Sequence, residues 1–335
     1  MERVTIIGLG LIGTSIGLAL KGSGILRAEI VGHDLEPSHE NKAKKMGAVD
    51  KTTHNLIDAV ENSRLIILAT PVMAIKETLE LIAPHLASGS VVTDTGSTKA
   101  QVIEWAETLL ANGKTSCNFI GGHPMAGKEK PGPDNADADM FKGATYAVCP
   151  APSSNEESAQ AVVTMIEAIG AIPYFIDPLE HDSYVAAVSH LPFILSTALV
   201  GATTQSPGWR EMSRLTGTGF RDISRLASGD PIMHRDICVT NIEPIVHWIN
   251  EYLRELVDLR DSLQESHDSV ELKLIKAWEA RARWLAGRDS GERPGAELPK
   301  ASDSMMNLMM GEKLASRFKT LSESPKGDPT KYRKR

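Results

Sequence analysis

A short apolar run, Val4 to Ile7, leads straight into Gly8-Leu9-Gly10-Leu11-Ile12-Gly13, and this junction constrains the fold more than any other stretch. Glycines at that spacing suit a strand turning tightly into a helix. The first makes the turn, the second lets a ligand approach the backbone, and the third lets helix and strand pack closely. The free N–H groups of the first helical turn, with the positive end of its dipole, then face an anion. Asp34 ends the next β-branched run, 21 residues beyond Gly13. A carboxylate there accepts hydrogen bonds from both ribose hydroxyls of a dinucleotide and repels a 2′-phosphate. The expectation is an NAD site built from Gly8, Gly10, Leu11, Ile12, Gly13 and Asp34, joined by Thr70, Pro71 and Thr95 beyond later strands. A plainer reading makes Gly8 to Gly13 a mere turn and Asp34 a helix cap, and His33 and Arg27 leave the preference over NADP open.

Up to Ile176, short β-branched runs alternate with helical patterns, which reads as βαβ units on a parallel sheet. Strands are expected at Val4 to Ile7, Glu29 to Gly32, Leu65 to Ala69, Ser90 to Thr93, Phe119 to Gly121, Ala144 to Val148 and Ile172 to Phe175. Helices are expected at Leu11 to Lys21, Val72 to His85 and Lys99 to Leu110. From Pro178 the strands cease, and Leu179 to Thr204, Asp230 to Ser266 and Ser269 to Leu285 carry helical spacing. As one helix, Asp230 to Ser266 would run about 50 Å, long enough to call for a partner subunit along it. The fold class is therefore α/β. A Rossmann-type doubly wound parallel sheet in residues 1–176 precedes an all-helical domain in 177–290, and 291–335 form a tail with a short Met-rich helix at most.

Composition narrows the function classes. With 335 residues, 41% of them hydrophobic and 24% charged, the chain reads as a globular protein of two domains. Uncharged runs such as Leu65 to Met73 fall far short of the roughly 20 apolar residues of a membrane helix, and no basic leader precedes the first strand. A cytoplasmic location is expected. A net charge of −7 without a basic stripe, the terminal Lys331 to Arg335 aside, argues against nucleic acid. Cys117, Cys149 and Cys238 follow neither metal-ligand nor redox-pair spacing, so structural thiols and no metal are expected.

Two further motifs carry chemistry. Asp94-Thr95-Gly96-Ser97-Thr98-Lys99 follows an expected strand, where Ser97 or Thr98 can cap the next helix and still present a hydroxyl at the sheet edge. Gly121-Gly122-His123-Pro124-Met125-Ala126-Gly127 follows another. There Pro124 restrains the residue before it, so an imidazole is held on a rigid loop. Histidine is the side chain best matched to taking a proton near neutral pH.

Together with Ser189-His190-Leu191-Pro192 and Gly219-Phe220-Arg221-Asp222-x-x-Arg225, these motifs stand in the order of the prephenate/arogenate dehydrogenase family of tyrosine biosynthesis, which the chain resembles over residues 3–287. The resemblance implies a Rossmann domain followed by a helical dimerisation domain, a homodimer, NAD as cofactor, and oxidative decarboxylation of prephenate or arogenate. It makes His123 the base for the ring hydroxyl and Ser97 the hydroxyl that orients it. Arg225 becomes the grip on the ring carboxylate, where a planar bidentate donor suits better than lysine. By the same resemblance His190, Arg221 and Glu129 line the substrate pocket, with Glu129, His181, Asp182 and Asp222 as a polar gate.

Two positions depart from the family pattern. Phe193 stands where many prephenate-selective members carry a second histidine, and His234 where some carry tryptophan. Arg221 and Arg225 can also be read as a helix face pairing with Asp222 or Asp230. Two rival functions fit the same architecture, a β-hydroxyacid dehydrogenase or imine reductase, and a non-catalytic NAD sensor in which His123 is idle.

Overall fold

The computed structural model describes residues 2–24, 28–111 and 118–287. Arg27, Cys117 and the tail read at 291–335 lie outside the described residues. Two compact units divide between Leu253 and Arg254.

The first unit opens with β1 (Glu2–Ile7), α1 (Leu11–Ser23), β2 (Ala28–His33), α2 (Pro37–Lys45), β3 (Lys51–Thr52), α3 (Leu56–Val60), β4 (Leu65–Leu68), α4 (Val72–Ile82), β5 (Val91–Asp94) and α5 (Ala100–Ala111). It continues with β6 (Asn118–Pro124), β7 (Thr145–Pro150), α6 (Glu156–Ala168) and β8 (Ile172–Phe175). The eight strands form one sheet in the order β3-β2-β1-β4-β5-β6-β7-β8. The order reverses beside β1, which opens the crevice where such sheets bind ligands. Alternate residues of a strand serve opposite faces. Leu65 and Ile67 join the core under α1 and α6, while Ile66 and Leu68 join the core under α4 and α5. Burial on both faces explains why these strands read as unbroken apolar runs.

The sheet differs from expectation at three places, the first being β6, which runs on through His123 and Pro124 where a loop was expected. The two-residue β3 gives no pattern to read. β7 runs antiparallel to β6, with His123 opposite Ala147 and Pro124 opposite Tyr146. No α-helix lies between β6 and β7, and without a crossover the returning strand must run the other way.

Beyond the sheet come α7 (Pro178–Val185), a π-helical turn (Ala186–His190), α8 (Leu191–Thr204), α9 (Trp209–Met212), α10 (Thr218–Ser224) and α11 (Pro231–Thr240). Ala186, Phe193, Ile237 and Ile245 centre a small core there. The segment read as one helix over Asp230 to Ser266 is broken at Asn241, whose φ of −137° and ψ of 41° end α11 before α12 (Ile242–Glu265) begins. The length argument for a partner along a single long helix therefore falls away. In the second unit, α13 (His267–Leu285) is capped by Ser266, whose side chain accepts from Ser269 N, and Arg281 lies 4.4 Å over the Trp284 ring.

The expectation that every apolar run is far too short to cross a membrane also fails. Pro178–Thr204 spans 27 residues and holds an 18-residue window with a mean hydropathy of 1.7, long and apolar enough by length and composition. In the folded unit this stretch is interrupted by the π turn, and some of its polar groups have protein partners. Trp248 Nε1 donates to Ser183 O at 3.2 Å, and Ala227 N donates to Ser196 Oγ at 2.9 Å.

Candidate active site

The loops after β1, β4 and β5 meet at one sheet edge, tied by Ala69 N to Ile7 O at 2.7 Å and Thr95 N to Leu68 O at 3.0 Å. Gly8 adopts a φ of +93°, and a Cβ there would stand 2.4 Å from Ala69 O; at Gly13 it would stand 1.9 Å from Gly8 O. Neither position admits a side chain. A Cβ at Gly10 meets nothing within 4 Å, so the middle of the turn faces open space, and α1 begins at Leu11 without a side-chain cap on its N–H groups. Asp34 Oδ2 accepts from Leu9 N at 2.6 Å and Oδ1 accepts from Glu36 N at 2.8 Å, so the acid braces this turn as well as the start of α2. Thr70, next to Pro71 at the head of α4, has a buried Oγ1 with no partner among the described residues. Open backbone, free N–H groups and an acid at the end of β2 fit a dinucleotide.

His123 sits next to last in β6 and is 9% exposed. Its Nδ1 lies 3.0 Å from His181 Nε2, and His181 Nδ1 lies 2.8 Å from Asp182 Oδ1. Direction follows from the last member. Asp182 accepts from Lys99 N at 2.7 Å and from Ala100 N at 2.9 Å, and a carboxylate holding those bonds accepts from His181 as well. His181 Nδ1 then carries the proton and its Nε2 the lone pair, so His123 donates through Nδ1 and keeps Nε2 bare. Burial pushes the His123 imidazole well below the usual histidine range, with His181, Lys99 and His190 adding to the shift. The product is a neutral imidazole with one free lone pair.

This geometry revises three readings. Neither Ser97 nor Thr98 caps α5; Asp182 takes the N–H groups of Lys99 and Ala100 from another helix, and Thr98 Oγ1 instead shares a hydrogen bond with Thr240 Oγ1 at 2.8 Å. Ser97, half-buried, does not hold Nδ1 of His123, which goes to His181. His181 and Asp182, read as a gate, are instead buried in the interior. Beneath them Lys99 pairs with Asp94, both fully buried, and Asp94 also accepts from Gly96 N at 2.8 Å and Gly122 N at 3.0 Å. Through Gly122 N, Asp94 ties the end of β5 to the strand that carries His123.

His190 ends the π turn and is fully buried, its acidity shifted by burial to a pKa of about 4. Arg225 lies just past α10 with its side chain 52% exposed and pairs with Glu129 from the loop after β6, not with Asp222 or Asp230. Arg221 and Asp222 are exposed. The two departures from the family pattern touch: Phe193 and His234 stack with centroids 4.1 Å apart and planes 3° from parallel. Among the described residues, no group of three or more His, Cys, Asp or Glu could hold a metal. Cys149 is buried, which pushes its thiol up to about 12.

A glycine cradle at a Rossmann switch point, with a neutral imidazole at the end of a nearby strand, defines a dinucleotide-dependent dehydrogenase. Residues 16–174 match the family described as "Prephenate dehydrogenase, nucleotide-binding domain", and residues 177–277 match "Prephenate dehydrogenase, dimerization domain". Prephenate dehydrogenase of Bacillus subtilis (strain 168) is 32% identical over 269 residues, which cover 79% of this chain and 71% of that protein. The crystal structure of prephenate dehydrogenase from Aquifex aeolicus, in complex with hydroxyphenyl propionate and NAD+, superposes with a TM-score of 0.77 at 28% identity, covering 84% of this chain and 97% of that one. Synechocystis arogenate dehydrogenase superposes at 0.72 and 28% identity, covering 84% of this chain and all of its own. The chain belongs to the prephenate/arogenate dehydrogenase family of NAD-dependent oxidoreductases.

His181 and Asp182 received no catalytic part in the sequence reading, and Lys99 received none at all. The adjacent pair His181-Asp182, placed just ahead of the apolar stretch that follows Tyr184, is the signal that was present.

Proposed function

We propose that the protein oxidises prephenate, arogenate or both with NAD, releasing carbon dioxide and leaving an aromatic ring, 4-hydroxyphenylpyruvate or tyrosine. The bare Nε2 of the neutral His123 carries this reading. Gly8, Gly10, Leu11, Ile12, Gly13, Asp34, Thr70, Pro71 and Thr95 would hold NAD, whose nicotinamide takes up a hydride when bound. His123 accepts the ring-hydroxyl proton as that carbon is oxidised, and the ring carboxylate leaves as carbon dioxide while the ring becomes aromatic. Burial of His123, His181 and Asp182 excludes water from the proton path. Ser97 would orient the substrate, with His190, Arg221 and Glu129 around it. The test is the rate of NADH formation with prephenate and with arogenate side by side; no NAD reduction on either compound sinks the reading.

We infer a cytoplasmic homodimer, with the domain border at 176/177. The dimerization-domain match over 177–277 supports it. So do the exposed apolar side chains Val188, Leu215, Ile223, Ile232 and Val246, which a second subunit can cover.

Arg225 would grip the ring carboxylate, releasing Glu129 to do so. A hydrogen-bonded charge of this kind contributes about 1.5 to 3 kcal/mol, so Arg225→Ala should raise KM by about tenfold to a hundredfold with little change in kcat. An unchanged KM removes Arg225 from substrate binding. At the cofactor, Asp34→Ser should lower the preference for NAD over NADP by at least about tenfold, because juxtaposed like charges cost several kcal/mol. Native protein that uses NADP as well as NAD contradicts this role for Asp34.

A further inference from the structure

Asn241 stands where α11 breaks from α12 and is 3% exposed. Its Nδ2 donates to Asp182 O at 2.8 Å. A backbone carbonyl can only accept, so this edge of the amide is the NH2 group and the side chain cannot be flipped. The same Nδ2 lies 3.2 Å from His190 Nδ1. Facing a donor, His190 Nδ1 must offer its lone pair, and the proton of the neutral ring then sits on Nε2. That Nε2 is buried and has no hydrogen-bond partner among the described residues. A buried donor left unpaired costs stability, and such groups are kept where something else comes to accept from them.

We propose that Asn241 is a positioning residue that fixes His190 as its Nε2–H tautomer, so that His190 donates a hydrogen bond to a carbonyl or carboxylate oxygen of the substrate. The substrate half of this inference rests on the function proposed above. Asp182 connects the two histidines. Its carboxylate, through His181, leaves His123 with a bare Nε2, while its carbonyl, through Asn241, leaves His190 with a protonated one. One residue thereby prepares an acceptor for the ring-hydroxyl proton and a donor for a substrate oxygen. The break at Asn241 serves the same end, since an unbroken helix would spend the geometry that brings this amide to α7 and the π turn.

Long-range proton–nitrogen spectra of the full chain, labelled in its histidines, read the tautomers directly. His190→Gln assigns the His190 signals by their loss. At neutral pH the native protein should carry the His190 proton on Nε2, and Asn241→Ala should give a mixture of tautomers. In kinetics, Asn241→Ala should raise KM by about tenfold yet have less than about a twofold effect in the His190→Phe background, because the two act through one bond. A native His190 protonated on Nδ1 overturns the proposal. So does an Asn241→Ala effect of full size in that background. Should Asn241→Ala fail to fold, the native spectrum still decides. Should the protein oxidise neither compound, the functional reading fails while the tautomer is decided separately.

Discussion

His123→Asn should keep the fold and the affinity for NAD and lose turnover by on the order of 10² to 10⁴, the usual contribution of a positioned proton acceptor. Asparagine replaces the ring with a group that cannot take a proton at neutral pH, while the strand pairing of residue 123 with Ala147 is made by backbone. The native enzyme should also show where its base titrates. Because burial holds the imidazole well below 6.5, the acid limb of kcat/KM should lie below that value, and the rate should stay flat from neutral pH down through it. The sign follows from the role: the base must be unprotonated, so a lowered pKa extends the active range toward acid. Turnover near that of the native protein in His123→Asn, or an acid limb above 6.5, removes His123 as the base.

Local features were legible in the sequence because local physics sets them. The glycine turn, the acid ending β2 and the rigid Gly-Gly-His-Pro segment are each specified by residues within a few positions of one another. The partners of the site are set by contacts between distant residues. His123 meets His181 across 58 positions, and Lys99 N meets Asp182 across 83, separations about which periodicity carries no information. Ser97 and Thr98 were good caps by type, and Asp182 displaced them because a tertiary carboxylate reached the same N–H groups. The break at Asn241 had a local signal in the sequence, a short polar side chain followed three residues later by Pro244. Helical spacing on both sides masked it, although Pro244 cannot bond to the carbonyl of Thr240 and crowds it, and the tertiary bonds to Asp182 and His190 explain why the residue at the break is an asparagine. The antiparallel β7 was equally hidden, since strand direction follows from the connection and not from the strand's residues.

Lys99→Met should lower the unfolding free energy by about 3 to 5 kcal/mol, the range seen when one partner of a buried ion pair is removed. Methionine fills most of the space of the lysine stem, so packing changes little and the loss is chiefly electrostatic. Asp94 would keep the N–H groups of Gly96 and Gly122 but lose its counter-charge in a site with no exposure to water. Asp94→Asn added to Lys99→Met should recover part of the loss, because it removes the charge left unpaired. Denaturant midpoints of the single and double variants measure both effects. The same variant should move the acid limb of activity upward, because Lys99 is one of the groups holding the His123 pKa down. A midpoint equal to that of the native protein, or no recovery on adding Asp94→Asn, shows that the buried pair does not stabilise the fold through charge.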